Sequence, residues 1–265
     1  MHPPRVLTAA ASVITLTAAA VAVTGGAAQA ATGAYVALGD SYSSGVGAGS
    51  YISDSGSCKR SDNAYPALWN AAHDPSSFTF AACSGATTSS VASDQLGGLS
   101  AATSLVSITV GGNDVGFSTV MQNCVTQSDS GCQSSVDAAE AKMDSVLPGA
   151  LDSLFTAIHG KAPSAHVVVL DYPHLYDLDA TPCPGLSAAK HKALNGGADK
   201  LDTTIEKATA DHGFTFSDVR DDFAGHELCT GDGWLHSVAY PVDESYHPTA
   251  KGHADGYLPA FTGSA

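Results

Sequence analysis

Short uncharged apolar runs alternate along this chain with longer stretches in which apolar residues recur at three- and four-residue spacing. Such runs fit strands buried on both faces, whereas the longer spacing is typical of amphipathic helices. The predicted strands are 35–38, 78–82, 105–110, 167–170 and 214–216. The predicted helices are 64–72, 115–124, 134–159 broken at Pro148, 187–210 capped by Ser187, and 248–257 with Pro248 in its first turn.

The alternation of strands and helices predicts an α/β fold with a parallel sheet of about five strands and helices on both faces. Open sheets of this kind place their sites beyond the carboxyl ends of the strands. Ser41, Gly85 and Asn113 each follow a predicted strand. We therefore expect them to converge at one edge of the sheet.

The N-terminal residues 1–30 predict a cleaved secretion signal. Arg5 supplies a positive start, 6–23 is apolar and uncharged, and Ala28-Gln29-Ala30 is a small-x-small cleavage motif. A membrane anchor is the alternative, but the stretch is marginal in length, contains Ser and Thr, and runs directly into that motif. We expect cleavage after Ala30, a secreted extracellular product, and a single domain at 31–265.

Acidic residues outnumber basic ones, 26 Asp and Glu against 11 Lys and Arg, for a net charge of −15. Removal of the predicted leader with Arg5 makes the chain more negative still. This charge argues against nucleic acid and anionic membrane surfaces as electrostatic partners. Without a second apolar stretch of spanning length, we expect a released monomer with no stable membrane anchor.

The six cysteines all follow the predicted cleavage site, at 58, 83, 124, 132, 183 and 229. An even number behind a signal peptide predicts three disulfides, for which fifteen pairings exist. We favour pairing between sequence neighbours, and the Cys-x-x-Cys spacing of zinc or redox sites is missing. The favoured pairs are Cys58–Cys83, Cys124–Cys132 and Cys183–Cys229.

Three short motifs carry the candidate chemistry: Gly39-Asp40-Ser41, Gly111-Gly112-Asn113-Asp114 and His247-Pro248. Together they supply a hydroxyl nucleophile, an amide donor and an imidazole base, which are the parts of an acyl-transfer site. Each motif alone is ordinary turn composition. Their order and their positions after strand-like runs make chance a poor explanation. Two residues after Ser41 comes Ser43 rather than Gly, which counts against an α/β-hydrolase elbow.

These motifs, together with Gly85, resemble the conserved blocks of the SGNH (GDSL) hydrolases, and in particular the secreted, three-disulfide lipases and esterases of actinomycetes. The resemblance covers the chain from the first predicted strand to the last helix. It implies a three-layer α/β/α, flavodoxin-like fold and ester hydrolysis through an acyl-serine intermediate, without a cofactor or metal. By position, Ser41 is then the nucleophile and His247 the base. The oxyanion donors are the backbone N–H groups of Ser41 and Gly85 and the side chain of Asn113.

One position departs from the family pattern. Many members carry Asp three residues before the histidine, where this chain has Glu244. Glu244 could orient His247, or the backbone carbonyl of Ser245 could accept the second imidazole N–H, as the actinomycete lipases suggest. We favour the carbonyl.

The resulting expectation is a secreted carboxylic ester hydrolase, a lipase or esterase that acts on lipid or small acyl esters. The same site acting on phospholipid or acetylated polysaccharide is the second interpretation. A secreted binding protein with a relict site is the third, and the presence of Ser41, His247, Gly85 and Asn113 speaks against it. Several aromatic residues are candidates to line a substrate pocket: Tyr42, Phe117, Tyr172, Trp234 and Tyr246.

Overall fold

The structure, a computed structural model, describes residues 1, 2, 4, 33–180 and 182–265. The core of the predicted signal at 6–23 and the cleavage motif Ala28-Gln29-Ala30 lie outside the described residues. Within the described ranges, no helix has both the length and the apolar character needed to cross a membrane.

A parallel sheet of five strands organises the described part of the chain, as the sequence predicts. The strand order is β2-β1-β3-β4-β5, the flavodoxin-like order, and the chain changes direction at the β1/β3 pair. Ligand sites in such sheets lie outside the carboxyl ends of the strands at this switch point. The strands are β1 Ala34–Gly39, β2 Ser77–Phe80, β3 Thr103–Thr109, β4 His166–Leu170 and β5 Thr215–Ser217.

Helices follow or separate all five strands. The α-helices are α1 Ser41–Ser44, α2 Tyr65–His73, α3 Thr88–Ser90, α4 Gly112–Val115, α5 Phe117–Thr126, α6 Asp129–Ser145, α7 Leu147–Lys161, α8 Ala188–Asp211, α9 Arg220–Phe223 and α10 Leu258–Ser264. Shorter 3₁₀ turns cover Ser53–Cys58, Leu96–Gly98 and Val242–Glu244, and π-helical turns cover Val91–Gln95 and Gly252–Tyr257.

The helices form two groups that cover opposite faces of the sheet, which gives the three-layer architecture. α2 and α10 pack together on one side, and α6, α7 and α8 pack together on the other. The strands between them are almost fully buried at positions such as Val36, Ile108 and Val168. Apolar burial on both faces explains why the inner strands β1 and β4 are apolar runs, whereas the edge strands β2 and β5 alternate Phe with Ser or Thr.

Most predicted helices are confirmed, and their ends have local causes. The break predicted at Pro148 separates α6 from α7, and Pro148 occupies the first turn of α7. Ser187 caps α8 by accepting a hydrogen bond from the backbone N–H of Lys190. The predicted helix 115–124 is interrupted at Gly116, whose positive φ of 92° ends α4 and begins α5.

The prediction for the last helix is wrong at its start. Pro248 does not occupy a helical turn, because it forms an antiparallel bridge with Leu235. Helical structure begins at Ala250 and continues through α10. The helical turns of 88–98 are not predicted from the sequence, because Ser, Thr and Gly dominate there and no apolar periodicity exists. Contacts with distant residues hold both segments: Pro248 pairs with Leu235, and Thr88 and Gln95 hydrogen-bond Asp114 and Gly39.

The three favoured disulfides are confirmed: Cys58–Cys83, Cys124–Cys132 and Cys183–Cys229. The first holds the loop that carries Gly85, because the backbone N–H of Ser84 also donates to the Cys58 carbonyl at 3.1 Å. Cross-links of this kind stabilise a chain chiefly by restricting its unfolded state, typically by about 2–4 kcal/mol each.

Candidate active site

Ser41 lies in a tight turn, residues 39–44, which we call the Ser41 turn. β1 ends at Gly39, Asp40 caps α1, and Ser41 is the first helical residue, 8% exposed. Gly39 has a φ of +120°, and a Cβ there would lie 2.4 Å from the Thr109 carbonyl oxygen. Only glycine therefore allows β1 to turn this close to β3.

Asp40 is fully buried and fastens this turn to its surroundings. Its Oδ1 accepts the backbone N–H of Tyr42 at 3.0 Å and the Thr109 hydroxyl at 2.7 Å. Its Oδ2 accepts the Tyr172 hydroxyl at 2.5 Å. Burial raises the pKa of Asp40 to about 6, although the hydrogen bonds from Tyr172 and Thr109 lower it. All of these contacts give Asp40 a structural role.

Two further polar residues hold the turn. The buried Gln95 side chain bonds both backbone groups of Gly39, accepting from its N–H and donating to its carbonyl, each at 2.8 Å. Ser43 hydrogen-bonds the hydroxyl groups of Tyr65, at 3.0 Å, and Thr109, at 2.9 Å. Sequence analysis missed Gln95, because a glutamine in a polar segment carries no local signal of burial.

Gly85 and Asn113 converge next to Ser41, as predicted. Gly85 has a φ of +78°, and its backbone N–H and that of Ser41 donate to no other described residue. The Asn113 side chain donates one N–H to the Ala86 carbonyl at 3.0 Å. Because a carbonyl only accepts, this bond fixes which end of the amide is Nδ2. The second N–H of Nδ2 is then available to a ligand.

The carboxylate of Asp114 joins the segment that carries Gly85 to the segment that carries Asn113. The Asp114 side chain accepts the backbone N–H of Thr88 at 3.1 Å and its hydroxyl at 2.6 Å. The segment after Cys83 and the segment after β3 are therefore tied to each other. Asp114 contributes structure here rather than chemistry.

His247 meets Ser41 from the far end of the sequence. Its Nε2 lies 2.7 Å from Ser41 Oγ, and its Nδ1 lies 3.0 Å from the backbone carbonyl oxygen of Ser245. Because the carbonyl only accepts, Nδ1 carries the proton and Nε2 presents its lone pair to the hydroxyl. This is the tautomer that a general base needs.

Glu244 does not contact the imidazole. Its Oε1 accepts the Tyr51 hydroxyl at 2.8 Å, and the same hydroxyl accepts the backbone N–H of Gly47 at 2.9 Å. Of the two acceptors left open by the sequence, the Ser245 carbonyl is therefore the one that the geometry favours. Glu244 instead ties its own turn to the loop that follows Ser44.

The loop that presents His247, residues 234–249, has little regular structure and is called the His247 loop. The Tyr42 hydroxyl donates to the Tyr246 carbonyl at 2.6 Å, which ties the loop to the Ser41 turn. Tyr246 itself has a φ of +63°. A left-handed conformation costs a non-glycine residue about 1 kcal/mol, so surrounding contacts must hold it.

His236 provides several of those contacts. Its backbone N–H donates to the His247 carbonyl, and its carbonyl accepts the Tyr246 N–H, each at 2.9 Å. Its ring Nε2 lies 2.8 Å from the carbonyl oxygen of Gly47, close to the Ser41 turn. His236 is thus a positioning residue that sequence analysis did not separate from the other histidines.

The pKa of His247 lies well below its usual value. Burial lowers it from 6.5 to about 4, although the Ser245 carbonyl and Asp243 raise it. His236 and Lys59 lower it further. The imidazole is therefore neutral, and able to take a proton, over the whole neutral range.

Two cavities meet at Ser41 and Asn113. A narrow cavity of about 70 Å³ runs between α6 and α8 and is lined mainly by apolar side chains. The second is an open cleft of about 600 Å³, which is lined by His247 and Gly85 as well as by Ser41 and Asn113. Of the aromatic residues predicted to line a pocket, four line one or both cavities: Tyr42, Phe117, Tyr172 and Tyr246. Trp234 lines neither and packs against Phe223 and His226.

The family model of the GDSL-like Lipase/Acylhydrolase family matches residues 37–254, which include both the Ser41 turn and His247. The chain therefore belongs to this family. As a GDSL-like acylhydrolase it is a carboxylic ester hydrolase, and the resemblance found in its motifs is confirmed.

Relatives of this GDSL-like hydrolase come from Streptomyces. Lipase 1 of Streptomyces coelicolor is 59% identical over 237 residues, which cover 89% of this chain and 88% of the relative. The crystal structure of phospholipase A1 from Streptomyces albidoflavus NA297 is 55% identical, with a TM-score of 0.87, and covers 89% of this chain and 100% of its own. The crystal structure of the extracellular lipase from Streptomyces rimosus is 51% identical, with a TM-score of 0.86. The match covers 88% of this chain and 100% of the lipase chain.

Proposed function

We propose that this protein is a secreted lipase or esterase that cleaves esters of apolar acyl chains through an acyl-Ser41 intermediate. The observation that carries the proposal is the 2.7 Å contact between Ser41 Oγ and His247 Nε2 at the mouth of a narrow apolar cavity. The nucleophile and base are within hydrogen-bond reach, and an acyl chain has a place to lie.

The reaction begins when Ser41 Oγ attacks the ester carbonyl carbon and His247 Nε2 takes the hydroxyl proton. The oxyanion accepts hydrogen bonds from the N–H groups of Ser41, Gly85 and Asn113. Collapse of this intermediate breaks the ester bond, and His247 returns the proton to the departing alcohol. Water then attacks the acyl-serine while His247 takes its proton, the bond between the acyl carbon and Ser41 Oγ breaks, and His247 returns the proton to Oγ as the carboxylic acid leaves.

The narrow cavity supports an apolar acyl chain as the substrate group that is recognised. α6 contributes Val136, Ala139 and Met143 to its wall, and α8 contributes Leu194 and Leu201. These side chains offer no hydrogen-bond partners to a sugar, so they favour lipid esters over acetylated polysaccharide.

Phospholipid is the second candidate substrate. The open cleft gives a polar headgroup or a second chain room beside His247, and the 55% identical Streptomyces albidoflavus relative is called phospholipase A1. Comparison of phosphatidylcholine with triglyceride and acetylated xylan, at matched ester concentration, separates the three substrate classes.

A serine-directed fluorophosphonate tests the assignment of the nucleophile. It should label the protein once, at Ser41, with peptide mapping as the readout. Label at Ser43 or Ser84 instead would contradict the proposal.

The acyl cavity is tested with two neighbouring glycines of α8. Gly197 lines the cavity, and a Cβ there would lie 3.3 Å from the Val136 side chain, whereas a Cβ at Gly196 meets no atom within 4 Å. Gly197→Leu should shift the preferred p-nitrophenyl ester to shorter acyl chains. Gly196→Leu, the matched control, should leave the chain-length profile unchanged. Identical profiles for both variants would place the acyl chain elsewhere.

Secretion and a monomeric state belong to the same proposal. Three disulfides fit an oxidising compartment outside the cytoplasm. Mass spectrometry of the culture supernatant should find a chain that starts at Ala31, and light scattering should give the mass of one chain. A retained leader or a larger particle would contradict these two points.

A further inference from the structure

Strongly exposed apolar side chains cluster at one place on the described surface. Val238 is 59% exposed, Tyr240 is 98% exposed and Val242 is 71% exposed, and all three lie in one five-residue stretch of the His247 loop. Val125, at the end of α5, is 42% exposed. We call these four residues the apolar rim. Scattered exposed apolar residues are normal, but a contiguous group usually marks an interaction surface.

The apolar rim is continuous with the candidate active site. Val125, Val238 and Val242 line the open cleft that holds Ser41 and His247. Tyr240 lies between Val238 and Val242 in sequence and points its side chain to solvent. Whatever covers the rim therefore also covers the entrance through which an ester must pass.

The segment that carries the rim is fastened at several points. The Ala239 N–H donates to the Ser245 hydroxyl at 2.9 Å, and the Ser245 N–H donates to the Val242 carbonyl at 3.2 Å. Lys59 forms an ion pair with Asp243. These contacts present the apolar side chains outward in a fixed arrangement, so their exposure is built into the fold.

The charges select the kind of surface that fits. Among the residues that line the open cleft, Asp243 is the one with a formal negative charge, and Lys59 neutralises it. The whole chain carries −15, which repels an anionic surface. An uncharged or zwitterionic surface accepts the apolar rim without that cost. Tyrosine is also a side chain that prefers the boundary between lipid and water.

We propose that the apolar rim seats this enzyme on a zwitterionic lipid–water interface, with Tyr240 as its main anchor and the open cleft facing the lipid. The inference rests on the proposed action on lipid esters. Insertion at this point brings ester groups to Ser41 without extracting each molecule fully into water.

Vesicle binding by the inactive Ser41→Ala protein tests the inference without lipid hydrolysis. The probe is sucrose-loaded vesicles of dioleoylphosphatidylcholine, and the readout is the partition coefficient from sedimentation. Tyr240→Ser on the Ser41→Ala background should lower the coefficient about tenfold, the order expected for loss of one inserted aromatic side chain. Leu178→Ser is the matched control, because Leu178 is 54% exposed and lines neither cavity. It should leave the coefficient unchanged.

A second variant reports insertion directly. Tyr240→Trp on the same background should retain binding, and the fluorescence of the new tryptophan should shift to the blue on adding vesicles. The native Trp69 and Trp234 are buried, so they supply a constant background. An unshifted spectrum in the vesicle-bound protein would overturn the role of Tyr240 as anchor.

Three results would overturn the inference. They are equal loss of binding in the Tyr240→Ser and Leu178→Ser proteins, binding that requires phosphatidylglycerol, and concentration-dependent dimers that Tyr240→Ser abolishes. Dissolved p-nitrophenyl butyrate separates this inference from the proposed function. Wild type and Tyr240→Ser should hydrolyse it equally, whereas an inactive wild type would refute the proposed function and leave the binding comparison intact.

Discussion

The Ser41 turn and the His247 loop are joined by the hydrogen bonds of Ser41 with His247 and of Tyr42 with Tyr246, but they are held in place differently. Ser41 lies two residues after the end of the central strand β1, and Gly39 pairs with Thr109 of β3 in the sheet register. The His247 loop depends instead on a few long-range hydrogen bonds, such as Tyr42 Oη to the Tyr246 carbonyl. The sheet thus positions the proposed nucleophile, while individual side chains position the proposed base. Substitutions in the two regions should therefore differ in their effects on kcat.

The largest effects should follow loss of either reacting group. Ser41→Ala and His247→Ala should each lower kcat by at least about 10⁴, since removal of one member of such a unit disables the whole unit. The double variant should be no worse than either single variant, with unchanged thermal unfolding as the control. Additive losses would show that the two residues act independently.

Loss of the Asn113 donor should be the next largest effect. Asn113→Ala removes a proposed oxyanion donor and should lower kcat by about 10²–10³ with little change in KM. Steady-state kinetics on a soluble p-nitrophenyl ester measures both constants. An unchanged kcat would leave Asn113 with only a structural role, the hydrogen bond to the Ala86 carbonyl.

A pair of matched tyrosines contrasts the two regions directly. Tyr42→Phe removes the hydroxyl that holds the His247 loop, and Tyr65→Phe removes one that bonds Ser43 in the Ser41 turn. Each change should destabilise the fold by about 1 kcal/mol in denaturant unfolding. Only Tyr42→Phe should lower kcat, by roughly tenfold, because its hydroxyl holds the carbonyl next to His247, whereas Ser43 keeps its bond to Thr109 when Tyr65 is changed. Equal losses of kcat in the Tyr42→Phe and Tyr65→Phe proteins would contradict this difference between the two regions.

The pH dependence follows from the lowered pKa of His247. Only the neutral imidazole takes the Ser41 proton, so the acid limb of kcat/KM should have its midpoint near pH 4 rather than near 6.5. Because the folded pKa lies below 6.5, His247 contributes stability above that pH, and this is lost as the pH falls towards 4. A midpoint near 6.5 would mean that the imidazole is well solvated.

The sequence predicted the sheet because its strands are short, uncharged and mainly apolar, and it predicted the convergence of Ser41, Gly85 and Asn113 because each follows such a strand. It identified His247 from its motif and favoured the Ser245 carbonyl as its partner, but it did not identify the long-range contacts that hold the loop. Tyr42, His236 and Gln95 act through partners that lie more than fifty residues away, and no local pattern records those pairings. Pro248 was misassigned for the same reason, since its bridge to Leu235 overrides its preference for a first helical turn.

The central claim is that a backbone carbonyl, and not a carboxylate, orients His247. Glu244→Gln tests it most directly, because Gln retains an oxygen that can accept the Tyr51 hydroxyl but carries no charge. We expect kcat/KM on a soluble ester to stay within about threefold of wild type, since no triad carboxylate is lost. A fall of several orders of magnitude with the fold intact would contradict the claim and make Glu244 the acid of a full triad.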